Sequence, residues 1–251
     1  MANPVIYGGV ASPQSAYETS ATKYHAIGEL GILADRVFRY ARVSGTSIAN
    51  NVLCQSPVVV GNHTAQTGAL TGFSVGRKTF TAVLGATAAD ADQYTDGYIK
   101  IQSSTLGAGQ IYKIAGHGAI GSAGTLPITL YDSIVTTPTG TVTWSLVRNP
   151  WSDIIITPVT TQTNMNCGVP LVTTGTGTAV APVYVWLQTR GLASVLGGTS
   201  DIVAGTGIMG QGSTAGTVAV EAATDITQRV GVGFASLITD NIYQTVFLMI
   251  D

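Results

Sequence analysis

Charge is what this sequence has least of. Only 10% of its 251 residues are Asp, Glu, Lys or Arg, against roughly 25% in an ordinary domain. Glu occurs three times (Glu18, Glu29, Glu221) and Lys four times (Lys23, Lys78, Lys100, Lys113). With 11 basic and 13 acidic groups the net charge is -2. A chain this close to neutral has no electrostatic basis for gripping a phosphate backbone, so no nucleic-acid partner is expected. Long hydrophobic runs are also missing. Mean hydropathy is +0.33, yet the longest apolar stretches, 183–187 and 246–250, fall far short of the ~18–20 residues that span a bilayer. The polar lumen and aromatic girdles of a membrane barrel are not laid out either, so no membrane is expected.

Cysteine is nearly absent. Cys54 and Cys167 make no disulfide framework; a single bridge between them is the lesser alternative. The opening Met1-Ala-Asn-Pro-Val has no basic n-region and no apolar h-region, so assembly in a reducing cytoplasm is expected. The sequon Asn62-His63-Thr64 is then silent. Disorder needs low hydrophobicity and high net charge, the reverse of what is found.

What is present is β-forming. There are 31 glycines and 35 threonines, with Ala, Val and Ile spaced between them. Propensity and pattern both predict an all-β protein, an antiparallel barrel or sandwich. Residues 1–24 lack both periodicities and read as an extended N-terminal arm with at most one helical turn near 15–20. Two strands flank a turn at Ala34-Asp35, a hairpin. Short strands follow at 51–55 and 58–60, broken by Pro57, and a Gly/Thr/Ser linker at 66–76. Five strands are expected at 78–84, 98–102, 110–115, 126–130 and 141–147, with a polar loop over 85–97. Eight more are expected at 154–156, 169–173, 183–189, 193–196, 202–203, 217–221, 230–235 and 244–250. The linkers suggest a barrel-like domain from 25–66 plus 151–251, interrupted by an inserted β domain at 67–150.

Several motif matches are discounted on context. Gly72-Phe-Ser-Val-Gly76 spells G-x-S-x-G, but a nucleophile elbow needs a helix after it, and a strand pattern follows. Gly116–Gly121 and Gly205–Gly210 both spell G-x-G-x-x-G, yet neither opens a helix, so no ring of free N–H groups awaits a pyrophosphate; both read as tight turns and bulges. Asp90, Asp92 and Asp96 cluster without the EF-hand order and read as a surface turn. His25, His63 and His117 have no metal-ligand spacing. No carboxylate pair stands out as acid and base. Catalytic, cofactor and metal residues are therefore expected to be none. Trp144, Trp151 and Trp186 read as core anchors.

Arg36, Phe38, Tyr40 and Arg42 alternate on one face of a strand, with Val37, Arg39, Ala41 and Val43 on the other. Three arginines in seven residues suit a contact strip for an acidic partner, or equally a solvated edge guarded by charge. Arg36, Arg39 and Arg42, with Pro4, Val5, Ile6, Tyr7 and Tyr17 of the arm, are the candidate interface residues.

Four phrases carry a resemblance: Ile27-Gly-Glu-Leu-Gly with Arg39-Tyr-Ala-Arg; residues 84–99, around Asp90-Ala-Asp-Gln-Tyr; Tyr184-Val-Trp-Leu-Gln-Thr-Arg-Gly; and Val230-Gly-Val-Gly-Phe with Tyr243-Gln-Thr-Val-Phe-Leu-Met-Ile-Asp251. Over most of 25–251 the chain resembles the capsid decoration, or cement, proteins of tailed bacteriophages. The resemblance implies a structural, non-enzymatic protein on the outer surface of the virion capsid, assembled in the host cytoplasm. It would be bound to the major capsid protein and to itself, as a dimer or trimer. The alternative is a tail or head-fibre adhesin using loops 85–97 and 103–109 to bind a host glycan or protein. Hundreds of copies per particle would mark a cement protein, a few dozen an adhesin.

Overall fold

The computed structural model describes residues 2–159, 162–178, 180–198, 201–210, 214–222, 228–234 and 242–251. The chain divides into two compact units, Met1–Pro57 with Pro150–Asp251, and Val58–Asn149. The first unit opens with β1 (Val5–Ile6), β2 (Leu30–Leu33), β3 (Arg36–Val43) and β4 (Cys54–Gln55). The second holds β5 (Leu70–Thr71), β6 (Thr79–Val83), β7 (Tyr98–Ser103), β8 (Ile111–His117), β9 (Thr125–Leu130) and β10 (Thr143–Val147). The chain then returns to the first unit through β11 (Ile155–Ile156), β12 (Asn166–Pro170), β13 (Val183–Leu196), β14 (Gly207–Met209), β15 (Ala219–Val220), β16 (Arg229–Gly233) and β17 (Tyr243–Met249). The expected 230–235 strand thus ends at Gly233, and Ala235 lies outside the described residues.

The larger unit is an antiparallel sandwich rather than a closed barrel. Its strands run β1-β2-β3-β13-β17-β16-β14-β15, and β12 branches from β13 to reach β4 and then β11. The predicted hairpin is β2–β3, with Ala34 at φ 55 in its turn. Period-2 alternation gives β3 two apolar faces. Ala41 and Val43 pack with Ile48, Val52, Cys54, Ile154, Cys167, Val185 and Leu187. Phe38 and Tyr40 pack on the other side with Ala16, Ile27, Tyr184 and Trp186. The expected strands at 183–189 and 193–196 are one. Gly191 (φ 93) continues the strand because a Cβ there would sit 3.0 Å from the Asp35 carbonyl oxygen. Gly207–Met209, expected as a turn, pairs with β16.

The N-terminal segment is not a free arm. β1 pairs with β2, Ser20 exchanges main-chain bonds with Tyr184 (3.0 and 2.8 Å), and the Ala16 N–H donates to the Ala2 carbonyl (2.9 Å). Gln14 is buried; it donates to the Tyr184 carbonyl (3.0 Å) and accepts from the Tyr40 hydroxyl (3.0 Å). At Gly31 a Cβ would lie 2.8 Å from both Pro4 Cβ and Trp186 Cζ3, so glycine lets the segment settle on the indole. This docking is built from main-chain and amide bonds, which leave no periodic trace in sequence.

The smaller unit is an antiparallel sheet ordered β10-β7-β8-β9-β6-β5. It curls around Phe73, Phe80, Ile99, Ile101, Ile114, Leu126, Ile128 and Trp144. Its span differs from the expected 67–150. A 3-10 turn at Gly61–His63 places His63 Nε2 2.9 Å from the Thr87 carbonyl, and Gln66 exchanges two bonds with Trp144 (2.8 and 2.9 Å), so 58–66 belongs here. Residues 58–60 form no strand, and the expected linker 66–76 contains β5.

If residues 2–24 are a structural cover, deleting them exposes Phe38, Tyr40 and Trp186. The truncated chain should then bind a hydrophobic dye and unfold at a clearly lower urea midpoint. An unchanged midpoint would restore the free-arm reading.

Candidate functional site

The three arginines of β3 are each engaged within the chain. Arg42 makes a two-pronged ion pair with Asp153 (2.7 and 2.9 Å) and donates to Ser152 Oγ (3.1 Å). Arg39 pairs with Asp251 (2.5 and 3.0 Å), donates to the Gly28 carbonyl (3.0 Å) and lies 5.0 Å from the Trp151 ring centroid. Arg36 reaches the Tyr17 hydroxyl (3.4 Å) and lies over Phe38 (5.6 Å). Two-pronged pairing fixes a guanidinium in place. The expected contact strip is thus divided, because Phe38 and Tyr40 between the arginines are fully buried. Of the arm residues, Pro4 is buried and Ile6 half-buried, whereas Val5, Tyr7 and Tyr17 are exposed, Tyr7 at 93%.

The polar cluster of the smaller unit is enclosed. His63 Nε2 faces the Thr87 carbonyl and so must carry the proton; Nδ1 then accepts from the Tyr94 hydroxyl (2.5 Å). His117 Nε2 accepts the Tyr94 N–H (2.8 Å), which places its proton on Nδ1, against the Gly118 carbonyl (2.8 Å). Burial pushes the Tyr94 hydroxyl up to about 12, opposed by the Arg148 charge. Loop 85–97 is therefore pinned from beneath by two histidines. Asp96 is completely buried and accepts from the Tyr131 hydroxyl (2.9 Å), and Asp92 (φ 56) accepts from Thr95 Oγ1 (2.8 Å). Among the described residues no three His, Cys, Asp or Glu side chains are grouped as metal ligands.

Ser74 lines a depression of about 410 Å³ with Gly68, Leu70, Phe73, Thr141 and Val142. No titratable residue shares that lining, so Ser74 has no base within it to take its proton. Cys54 and Cys167 are free and buried, and burial raises both thiols well above the ordinary range, which keeps them as inert thiols.

Among the described residues the surface carries a broad apolar feature. Leu192, Phe247 and Val232 are successive cross-strand partners on β13, β17 and β16. Partners share a face, as do residues two apart, so Met249, Tyr243 and Phe234 extend the same row. Leu192 is 40% exposed, Phe247 38%, Tyr243 49%, Met249 56% and Phe234 61%. These side chains expose on the order of 500 Å², near the top of what a monomer shows. Arg190 is the partner of Met249, and the Arg229–Glu221 ion pair (2.7 Å) lies over Gly207, the partner of Val232, at the edge of this face. The sequence signal was available: 243–249 has large apolar residues at both parities, so both faces of β17 seek cover. Among the described residues no helix is long and apolar enough to cross a membrane. Comparison with family models, curated proteins and solved structures finds no match.

His25 yields a pH prediction. Its Nε2 lies 2.9 Å from Ser12 Oγ, and its ring meets Tyr40 (5.1 Å) and Trp186 (5.3 Å). Burial lowers its pKa below 6.5, partly offset by Glu29. The unfolded chain then binds the proton more readily, so stability rises with pH. This contribution should be complete above 6.5 and fade as the pH falls toward the lowered value. Urea midpoints between pH 7.5 and 5 should show that slope, and His25→Gln should flatten it.

Proposed function

We propose that this chain is a structural virion protein that decorates and stabilises a bacteriophage capsid by bridging subunits of the major capsid protein. The observation that supports it most is the apolar face of Leu192, Val232, Phe234, Tyr243, Phe247 and Met249. Burying that area against a neighbour would contribute about 25 cal/mol per Å² before association costs are met. Arg190, and the Arg229–Glu221 pair lying over Gly207 beside Val232, would have to be desolvated. The enclosed histidines, paired arginines and uncharged depression favour a binding surface over a reactive centre. Repetition over a shell would turn modest contacts into strong retention. The resemblance noted in the sequence supplies the shell as the partner, and self-association belongs to the same reading.

Phe247→Asp tests it. The ring is about two-thirds buried on a strand paired on both sides, so the melting temperature should drop, and binding is compared at a temperature where the variant remains folded. Binding to shells lacking the protein should fall at least tenfold, and particles carrying the variant should lose heat resistance. Full binding by Phe247→Asp, or bare particles as heat-resistant as complete ones, would remove the proposal.

A further inference from the structure

The geometry points to a strand-acceptor slot in the smaller unit, taking a short, extended, uncharged segment of another protein by main-chain pairing. The slot is the 410 Å³ depression, and it lies where the six-stranded sheet fails to close on itself. At one end Gln66 and Trp144 exchange both main-chain bonds. At the other the Val75 N–H donates to Thr137 Oγ1 (3.0 Å). Between those ties the Trp144 Nε1 donates to the Gly68 carbonyl (2.7 Å), and past that contact the two lips part.

Each lip carries main-chain groups aimed into the gap. The Val83 N–H donates to the Ala69 carbonyl (3.1 Å), so the next pair, Leu70 with Ala82, is the kind whose N–H and C=O point away from the shared ladder. Those of Leu70 turn toward the gap. On the facing lip Trp144 directs its N–H and C=O at Gln66, and Val142, two residues earlier, turns the same way. Thr139 turns outward instead, accepting from the Thr105 N–H (2.8 Å) and donating to the Leu106 carbonyl (3.3 Å). Neither Leu70 nor Val142 has a main-chain partner across the gap. Beneath them the side chains of Leu70 and Val142 are half-buried against the core that holds Phe73. Buried sheet edges are ordinarily paired or covered, and edges left open serve as templates for another strand.

The occupant follows from the lining. With no charged group available, Lys, Arg, Asp or Glu would be desolvated without a partner. An inserted segment of three or four residues would alternate, one apolar side chain down onto Leu70 and Val142 and the next, small and polar, outward. This chain's own N-terminal segment is committed within the larger unit and is not the occupant. The inference does not depend on which assembly the chain joins.

The test uses the full-length, isotope-labelled protein titrated to millimolar concentration with acetyl-Thr-Val-Thr-Val-Thr-amide. Amide shifts should change within residues 67–74 and 138–143, and exchange of the Leu70 amide should slow at least tenfold. Acetyl-Thr-Lys-Thr-Lys-Thr-amide should do neither. Thr141→Lys, at an exposed lip position, should abolish the response with the rest of the spectrum intact. Should that variant unfold, Leu70→Pro removes the donor at an edge where proline is tolerated. Unchanged Leu70 exchange, shifts elsewhere, or an equal response to the lysine peptide would overturn the slot.

Discussion

The larger unit depends on one constraint: β3 and the first half of β13 carry large apolar side chains on both faces. Phe38, Tyr40, Tyr184 and Trp186 project one way, and Ala41, Val43, Val185 and Leu187 the other. A strand with this pattern cannot sit at a surface, so two covers are needed. The layer of β4, β11 and β12 covers one side. The other is covered by the N-terminal segment, which has almost no regular structure. Gln14, Ser15 and Ser20 satisfy much of its polar demand by reaching main-chain carbonyls of the elements they cover and of their own segment, whereas the buried Asn3 Oδ1 has no partner. A covering segment with orphaned amides would cost about 1–3 kcal/mol for each one left unpaired.

The same economy governs charge. Arg39 and Arg42 rise from β3 and meet Asp251 and Asp153, residues more than a hundred positions away in sequence. These pairs are partly exposed, so each contributes less than a buried pair and is weakened by salt. Their larger effect is geometric: they hold the C-terminus and the start of the returning chain against one strand. In the smaller unit the histidines do comparable work without charge. Each ring has its tautomer set by one carbonyl, which leaves the other nitrogen as an acceptor for Tyr94.

Much of the β architecture was legible because it rests on alternation and turn chemistry. The hairpin at Ala34-Asp35, the strands of the smaller unit and the burial of Trp144 and Trp186 all follow from period-2 patterning. Three features escaped it. The N-terminal segment is held by hydrogen bonds that have no period. Gly191 reads as a break but acts as a passage for a close-packed backbone, which only the neighbour at Asp35 reveals. The arginine strip read as open because sequence shows spacing along a strand and not the carboxylates that distant chain brings to it. The apolar face was half legible: the double-sided pattern of 243–249 shows that both faces want cover, and only the fold shows which stays exposed.

That exposure raises a problem of its own. A chain so short of charge, with Phe234, Phe247 and Met249 in water, has little electrostatic repulsion to keep copies apart. Natural sheets ordinarily guard such surfaces with lysine or proline, yet here only Arg190 and the mutually paired Arg229 and Glu221 border the row among the described residues. An unguarded face is costly to a protein that stays dispersed, and costs little to one that is covered soon after it folds. Solubility alone would favour a polar residue at Phe247, whose ring is left partly in water. Its presence is understandable if the strand answers to two cores, one inside the sandwich at Val246 and Leu248 and one completed by a neighbour.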